Sequence, residues 1–522
     1  MSDNTIYRLA KPQKKGLLRL VFSRFLIIAL LLLLQVVMVV SFYLWLNQYF
    51  SWFSAVQSTF TLVMVIYLFN NRMDTSAKLT WMFLISIMPI PGAILLWFTQ
   101  TNIGNRDLTR KVDALISGTK DALAQPEDVR ETLRKDGSGT DDLCTYLNRS
   151  GCFPVYDNTE ATYYPSGEAK FADMLEELRK AEKFIFLEYF IIEEGYMWGE
   201  VLRILAEKAQ AGVDVRVLYD GMCEMSTLPA GYWKLLGEKG IKSRPFSPIR
   251  PLVSSHYNYR DHRKILVIDG NVAFNGGVNL ADEYINRIER FGHWKDTALR
   301  LKGDAVKSFT LMFLQMWNIG EKEPAFEPFL SVEAKAPEAP SGYVMPYGDC
   351  PLDKEKVGEA VYMDILNHAN EYVHIMTPYL ILDGELETAL KYAAERGIDV
   401  KLILPGIPDK KLAYSFAKAH YKSLVSAGVK IYEYTPGFVH AKVFISDDIK
   451  AVTGTINLDY RSLYHHFECA TYLYRTDCIA EMEADFQATL AKCREVTPET
   501  IRNEKLGYRL AGSLLRFLAP LM

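Results

Sequence analysis

The chain has 522 residues, 59 Lys and Arg against 63 Asp and Glu for a formal charge of -4, and 49% apolar residues. That length allows two or three domains with a large core, and the balanced charge excludes a dedicated nucleic-acid binder, which carries a basic footprint. The 7 cysteines include no C-x-x-C pair and the 9 histidines no H-E-x-x-H, so the spacing encodes neither a disulfide framework nor a metal site, and a reducing compartment is favoured.

Three uncharged apolar runs occupy the first hundred residues: Phe25–Leu46, Phe53–Phe69 and Leu79–Phe98, the last interrupted by Pro89, Pro91 and Gly92. At about 1.5 Å per residue the first is long enough to cross a hydrocarbon core, and the second sits at the short limit. A signal peptide fits the first poorly, because its core is too long and no small-residue cleavage site follows. Residues 1–98 are therefore expected to form a membrane anchor with two or three hydrophobic segments. Arg8, Lys11, Lys14, Lys15, Arg19 and Arg24 hold the N-terminus in the cytoplasm, and the loop Asn47–Trp52, free of Lys and Arg, suits the outside. Basic residues flank both ends of the last run. Three full spans would put the large C-terminal body outside, whereas a re-entrant last run, bent at Pro89–Gly92, would keep it inside; the sequence leaves both open.

Residues 99–140 form a polar, partly helical connector, and the chain beyond it is repetitive. FIFLEYFII (Phe184–Ile192) is echoed by YVHIMTPYLIL (Tyr372–Leu382), and AGVDVRVLYDG (Ala211–Gly221) by RGIDVKLILPG (Arg396–Gly406). In each copy a glycine followed by alternating β-branched residues marks a helix end running into a strand. The pattern predicts an α/β fold with substantial parallel sheet, divided into units 141–322 and 343–522 and joined by a proline- and acid-rich linker at 323–342. The first copy carries an extra proline-punctuated loop, RPFSPIRPLVSS from Arg244, just ahead of its chemical motif.

That motif is His262-x-Lys264-x4-Asp269 in HRKILVID, and it recurs as His440-x-Lys442-x4-Asp447 in HAKVFISD. Gly276 and Asn279 follow the first at the spacing of Gly454 and Asn457 after the second. Strand alternation puts His and Lys on one face, so both enter one cleft. Lysine brings a compact positive charge to a phosphate oxygen, and asparagine an amide donor. The glycines permit close backbone approach. Histidine attacks phosphorus when neutral and donates a proton when charged. One copy alone is a weak signal; two with matched glycine and asparagine inside a repeat make a phosphate-handling site that needs no metal.

The paired motifs resemble the signature of the phospholipase D superfamily. More narrowly, NYRDHRKILVIDG, GGVNLADEY, GHWKDTALRLKG, GFVHAKVFISD and GTINLDYRSL are similar to stretches of bacterial cardiolipin synthases. The resemblance implies two duplicated phospholipase D-like α/β domains forming a pseudo-dimer behind a transmembrane helical anchor. It implies a multi-pass protein of the bacterial cell membrane acting on phosphatidylglycerol and other membrane lipids, with no nucleic-acid partner, cofactor or metal. One phosphatidylglycerol would give its phosphatidyl group to His262, and a second would accept it, with His440 as general acid and then base. Lys264, Lys442, Asn279 and Asn457 would stabilise charge on phosphorus. Asp269 and Asp447 belong to the catalytic signature, although their position seven residues past each histidine equally suits anchoring a strand end. Glu468, 28 residues after His440, stands where the family's second motif has its histidine-orienting carboxylate; Asp296 in HWKD is the counterpart for the first copy. The run YHHFE departs from the family by placing His465 and His466 ahead of Glu468, either tuning an acceptor site or packed as a pair. The alternative activity is a phospholipase D-type hydrolase, with water as the second nucleophile. The C-terminal YRLAGSLLRFLAPLM lies on a membrane surface or packs on the body.

Overall fold

A computed structural model describes residues 6–10, 33, 36, 37, 40, 41, 44, 50–71, 73–100, 106–248, 259–353 and 355–504. Most of the first apolar run, the later part of the loop before His262, and the C-terminal stretch from Tyr508 lie outside the described residues.

Helix Phe50–Asn70 contains, among the described residues, the one segment long and apolar enough to cross a membrane, Trp52–Asn70, with 6% of its window buried by protein. The third apolar run is a bent pair of helices, Thr75–Ile87 and Pro89–Gln100, rather than one span. The break falls at Met88, because Pro89 has no amide hydrogen to continue the ladder. The turn is tight enough that a Cβ on Gly92 would sit 3.2 Å from the Ile85 backbone. Helices of 13 and 12 residues reach about 20 Å each, short of a hydrocarbon core of about 30 Å. Asp74 caps the first of them, and Ser76 in its first turn lies beside Tyr460 of the body.

The body holds two sheets. The first runs through β1 (Thr159–Tyr164), β2 (Phe184–Tyr189), β3 (Asp214–Asp220), β4 (Lys242–Phe246), then β5 (Arg260–Asp261), which pairs elsewhere, β6 (Lys264–Ile268), β7 (Val272–Gly276), β8 (His293–Lys295), also outside it, and β9 (Ala298–Gly303). The second is built from β10 (Tyr343–Asp349), β11 (Tyr372–Met376), β12 (Asp399–Pro405), β13 (Lys430–Tyr434), β15 (Val443–Ser446), β16 (Lys450–Gly454), β17 (His466–Tyr474) and β18 (Cys493–Glu495), with β14 (Gly437–Val439) apart. Their orders are β1-β9-β7-β6-β2-β3-β4 and β10-β17-β16-β15-β11-β12-β13-β18, which correspond strand for strand apart from the added edge β18.

Each sheet is mixed rather than chiefly parallel. Only β2, β3 and β4, and likewise β11, β12 and β13, run parallel. The strand that each lysine leads into turns back at once through Asp269–Asn271 or Asp447–Ile449, and so tight a connection forces antiparallel pairing. The anticipated helix-to-strand glycines are present: Gly212 and Gly397 adopt φ of 92° and 98°, which a side chain resists.

Helix Val306–Asn318 lies between the sheets and buries Phe309, Met312, Phe313 and Met316 in a core that takes residues from both. The sheets also meet directly, where Asn275 Nδ2 donates to Thr471 Oγ1 at 3.1 Å. The proline-rich segment expected as a free linker packs on the body: Phe329 lies edge-on to Phe184 and Phe186, and Phe326, Leu330 and Val332 join the same core. Its composition conceals four apolar side chains that have a surface to cover.

Two short parallel ladders complete the frame. β5 pairs with the start of β17, and β14 pairs with β8, each joining one sheet's half of the chain to the other's.

Candidate active site

These two ladders position the histidines. At the end of β5, the His262 amide donates to the Phe467 carbonyl at 2.9 Å; at the end of β14, the His440 amide donates to the Lys295 carbonyl at 2.6 Å. Each histidine is thereby set beside the carboxylate that follows its backbone partner. His262 Nδ1 lies 2.9 Å from both oxygens of Glu468, and His440 Nδ1 lies 2.7 Å from Asp296 Oδ2. All four residues are buried.

The pairing is therefore crossed. Spacing within each copy assigns Glu468 to His440 and Asp296 to His262, and the structure exchanges them. The reason is topological: β17 and the β8–β9 segment border the opposite half, so each half orients the other's histidine. A contact made across an interface leaves no trace in intervals counted along one copy.

Lys264 opens β6 and Lys442 immediately precedes β15, each two residues beyond its histidine, and each Nζ donates back to its own histidine's carbonyl. Burial pushes the Lys264 ammonium down to about 8 and Lys442 down to about 7, the latter helped by the charge of Lys264. Burial likewise holds His262 well below the usual histidine range, with Lys264, Lys442 and His440 adding to the effect. His440 is lowered to about 4 by burial and Lys442, against the opposing pull of Asp296. Each motif feels the other's charges, as side chains in one cleft do.

The asparagines are more committed than phosphate binding alone requires. Asn279 accepts from the Ile191 amide at 3.0 Å and donates to Tyr284 OH at 2.8 Å; Asn457 donates to Ser462 Oγ at 3.0 Å. Each amide spends one of its two hydrogens in this way. The glycines admit protein rather than ligand: a Cβ on Gly276 would lie 2.6 Å from the Ala298 backbone, and one on Gly454 2.5 Å from that of Ala470. They allow β9 and β17 to close on β7 and β16.

Asp269 and Asp447, counted with the catalytic signature, lie at the strand ends opposite the lysines. Asp269 accepts from the amides of Glu182, Lys183 and Phe184 at 2.7–2.9 Å, and Asp447 from those of Asn370, Glu371 and Tyr372 at 2.8–2.9 Å. Both adopt positive φ, 54° and 55°. They clamp the turn after each lysine strand to the neighbouring strand's entry and take no part in the cleft.

Several residues about the histidines escaped sequence reasoning. The Thr455 hydroxyl donates to Glu468; it lies in the GTIN segment without a distinguishing signal of its own. Phe190 packs on His262, and Tyr284 and Trp294 on His440, with centroid separations of 4.8, 5.4 and 5.4 Å. Lys170, fully buried beneath the cleft, donates to Tyr189 OH at 3.1 Å, and burial pushes it down to about 7. His466, which the sequence does single out, lies 5.3 Å from His262, ring to ring. Among the described residues, two groups bring metal-ligand atoms within 4.8 Å of one another: His262, His466 and Glu468, and Glu359, Asp383 and Glu385.

The cardiolipin synthase, phospholipase D-like domain family matches residues 174–317 and 362–490, just over half of the chain. The chain belongs to this family. It is 34% identical to cardiolipin synthase 2 of Bacillus anthracis over 467 residues, covering 89% of this chain and 90% of that one. It is 33% identical to a cardiolipin synthase of Halalkalibacterium halodurans, covering 89% and 93%. A Streptococcus mutans protein of uncharacterized function is 58% identical over 458 residues, covering 88% of this chain and 99% of its own length. Among solved structures, phosphatidylserine synthase of Haemophilus influenzae shares the fold, with a TM-score of 0.52 at 15% identity over 69% of this chain and 93% of that one. The two family segments contain β2 to β9 and β11 to β17, and with them both histidines, both lysines and both orienting carboxylates.

Proposed function

We propose that this protein is a phosphatidyltransferase that joins two phosphatidylglycerol molecules into cardiolipin and releases glycerol. The observation that carries the chemistry is the crossed pair His262–Glu468 and His440–Asp296 beside two buried lysines. A histidine whose Nδ1–H is held by a carboxylate presents its Nε2 lone pair outward as a nucleophile or proton acceptor. His262 Nε2 attacks phosphorus, the P–O bond to the glycerol headgroup breaks, and His440 protonates the departing alkoxide. His440 then removes the proton from a hydroxyl of the second phosphatidylglycerol. That oxygen attacks the phosphohistidine, the P–N bond breaks, and His262 is regenerated. At rest both imidazoles favour the neutral form, as the nucleophile requires. The bound phosphodiester brings the negative charge that makes a protonated His440 favourable. Lys264 and Lys442 offset charge on the equatorial oxygens.

The two sheets correspond strand for strand, which supports a duplicated phospholipase D-like unit folded as a pseudo-dimer. The active cleft then lies on the pseudo-twofold axis, and neither unit is complete without the other.

The membrane arrangement is argued from contacts at both ends of the anchor. Ahead of the first apolar run, the Leu9 amide donates to buried Glu194 at 3.2 Å, and Tyr7, Leu9 and Ala10 pack on the body. Gly199 leaves room for the Tyr7 carbonyl, 2.6 Å from where a Cβ would stand. The N-terminal segment and the catalytic body therefore share one side of the membrane, and the basic N-terminus makes that side cytoplasmic. An even number of crossings is required. Helix Phe50–Asn70 supplies one, the apolar run that the sequence expects to span at 25–46, mostly outside the described residues, would supply the other, and the bent pair from Thr75 to Gln100 re-enters, leaving the body near Tyr460 and returning to it through helix Arg106–Gly118. The enzyme thus draws phosphatidylglycerol from the cytoplasmic leaflet.

The test is to supply vesicles of phosphatidylglycerol to purified protein and follow products. Cardiolipin with equimolar glycerol supports transfer; phosphatidic acid as sole lipid product rejects it in favour of hydrolysis.

A further inference from the structure

The two crossed pairs differ two residues before each carboxylate. Ahead of Asp296 stands Trp294, whose indole packs on His440 with a centroid separation of 5.4 Å. Ahead of Glu468 stands His466, buried and 5.3 Å from His262. One catalytic histidine has an apolar neighbour, the other a second imidazole.

The tautomer of His466 is set by its partners. Arg461 Nε donates to His466 Nε2 at 3.3 Å, and a guanidinium can only donate. His466 Nε2 is therefore an acceptor, and the ring proton sits on Nδ1. That atom lies 3.5 Å from Glu468 Oε1, close enough for electrostatic attraction though long for a hydrogen bond. Glu468 is thus approached by three hydrogens, those of His262 Nδ1, the Thr455 hydroxyl and His466 Nδ1. The hydrogens of Thr455 and His466 partly neutralise the field that the carboxylate exerts on His262.

We propose that His466 is a positioning residue: oriented by Arg461, its Nδ1–H weakens the pull of Glu468 on the His262 ring and keeps that ring neutral and nucleophilic. The proposal rests on His262 being the nucleophile. The other charged and titratable groups facing His262 are Lys264, Lys442, His440 and Lys410, which all disfavour its cationic form; those facing His466 are Arg461, Glu468 and His262. His466 acts in the same sense as the lysines but through the carboxylate. Glu468, in direct contact with His262 Nδ1 at 2.9 Å, is the carboxylate that favours the cation, and its field is the one His466 reaches. The matching position beside His440, a general acid that must gain a proton, carries an indole whose Nε1–H makes no hydrogen bond to Asp296.

The experiment reads the protonation of His262 without turnover. Full-length protein in detergent is treated with diethylpyrocarbonate across pH, and carbethoxylation of His262 and His440 is quantified by peptide mass spectrometry. His466→Ala should raise the His262 midpoint by about half a pH unit or more while leaving that of His440 in place. His466→Asn, whose amide can still donate, should return it most of the way. An unmoved His262 midpoint, an equal shift at His440, or an Asn variant no better than Ala would each overturn the proposal. Because no lipid is present, a failure of cardiolipin synthesis is a separate result.

Discussion

His262 holds its Nδ1 2.9 Å from both carboxylate oxygens of Glu468, a residue 206 positions later in the chain and in the other half of the molecule. His440 and Asp296 repeat the contact in the opposite direction at 2.7 Å. Removing either carboxylate should disable the histidine of the opposite half. Glu468→Gln and Asp296→Asn are each expected to lower turnover about 10²- to 10⁴-fold, as loss of a tautomer-fixing carboxylate does elsewhere. Steady-state rates on phosphatidylglycerol vesicles check this, and a loss of less than tenfold in either would contradict it.

The lysines set the alkaline limb. Lys264 and Lys442 are pushed down to about 8 and about 7, so the free enzyme's phosphate site is cationic below that window and loses charge as pH rises through it. The value of kcat/KM should therefore fall between about pH 7 and about pH 8, whereas kcat, which reports the lipid-bound enzyme, should hold to higher pH because the bound phosphate favours the cations. Lys442→Arg should move the kcat/KM limb upward, since arginine keeps its charge. Initial rates across pH at varied surface concentration of phosphatidylglycerol separate the two parameters.

Asp269 and Asp447 are expected to matter for folding rather than chemistry. Asp269→Asn keeps a residue that tolerates positive φ and weakens a cluster of three charge-assisted amide contacts, at a cost of about 1–3 kcal/mol. Thermal unfolding should shift down by several degrees, while turnover per folded molecule stays within about twofold of the parent. Loss of turnover without loss of stability would return these aspartates to the active site.

Topology is checked by labelling. Six of the seven native cysteines are buried and the seventh, Cys493, is half-buried, so a Cys493→Ser background suits introduced thiols. Asn4→Cys and Glu323→Cys should react with a membrane-impermeant maleimide only when the cytoplasmic face is open, and Asn47→Cys only from outside. Reaction of Asn4→Cys and Glu323→Cys from opposite faces would break the shared-side arrangement that the Leu9–Glu194 contact supports.

How far sequence reaches depends on the range of each interaction. His262, Lys264, His440 and Lys442 were legible because each pair sits two residues apart where the chain passes from one short strand into the next, a local relationship that the doubled motif preserves. The glycine entries at Gly212 and Gly397 were legible because positive φ is a local demand. The partners of Glu468 and Asp296 were not, because the β5–β17 and β14–β8 ladders arise only when the halves meet. Gly276 and Gly454 carried a true signal with a different cause: the close neighbour is a strand, not a phosphate. The 323–342 segment looked like a tether because proline and acidic residues dominate its composition, yet Phe326, Phe329, Leu330 and Val332 find cover on the body. His466 stood out as a departure from the family, but only the positions of Arg461 and Glu468 fix which of its nitrogens carries the proton.

The central claim is that His262 with Glu468 supplies the nucleophile, while His440 with Asp296 supplies the acid. A phosphatidyl ester of p-nitrophenol tests it most directly, because that leaving group departs without protonation. In single-turnover release of p-nitrophenol, His440→Ala and Asp296→Asn should recover to within about tenfold of the parent enzyme, whereas His262→Ala and Glu468→Gln should stay at least about 10²-fold down. Recovery of Glu468→Gln together with His440→Ala, and not Asp296→Asn, would contradict the crossed assignment.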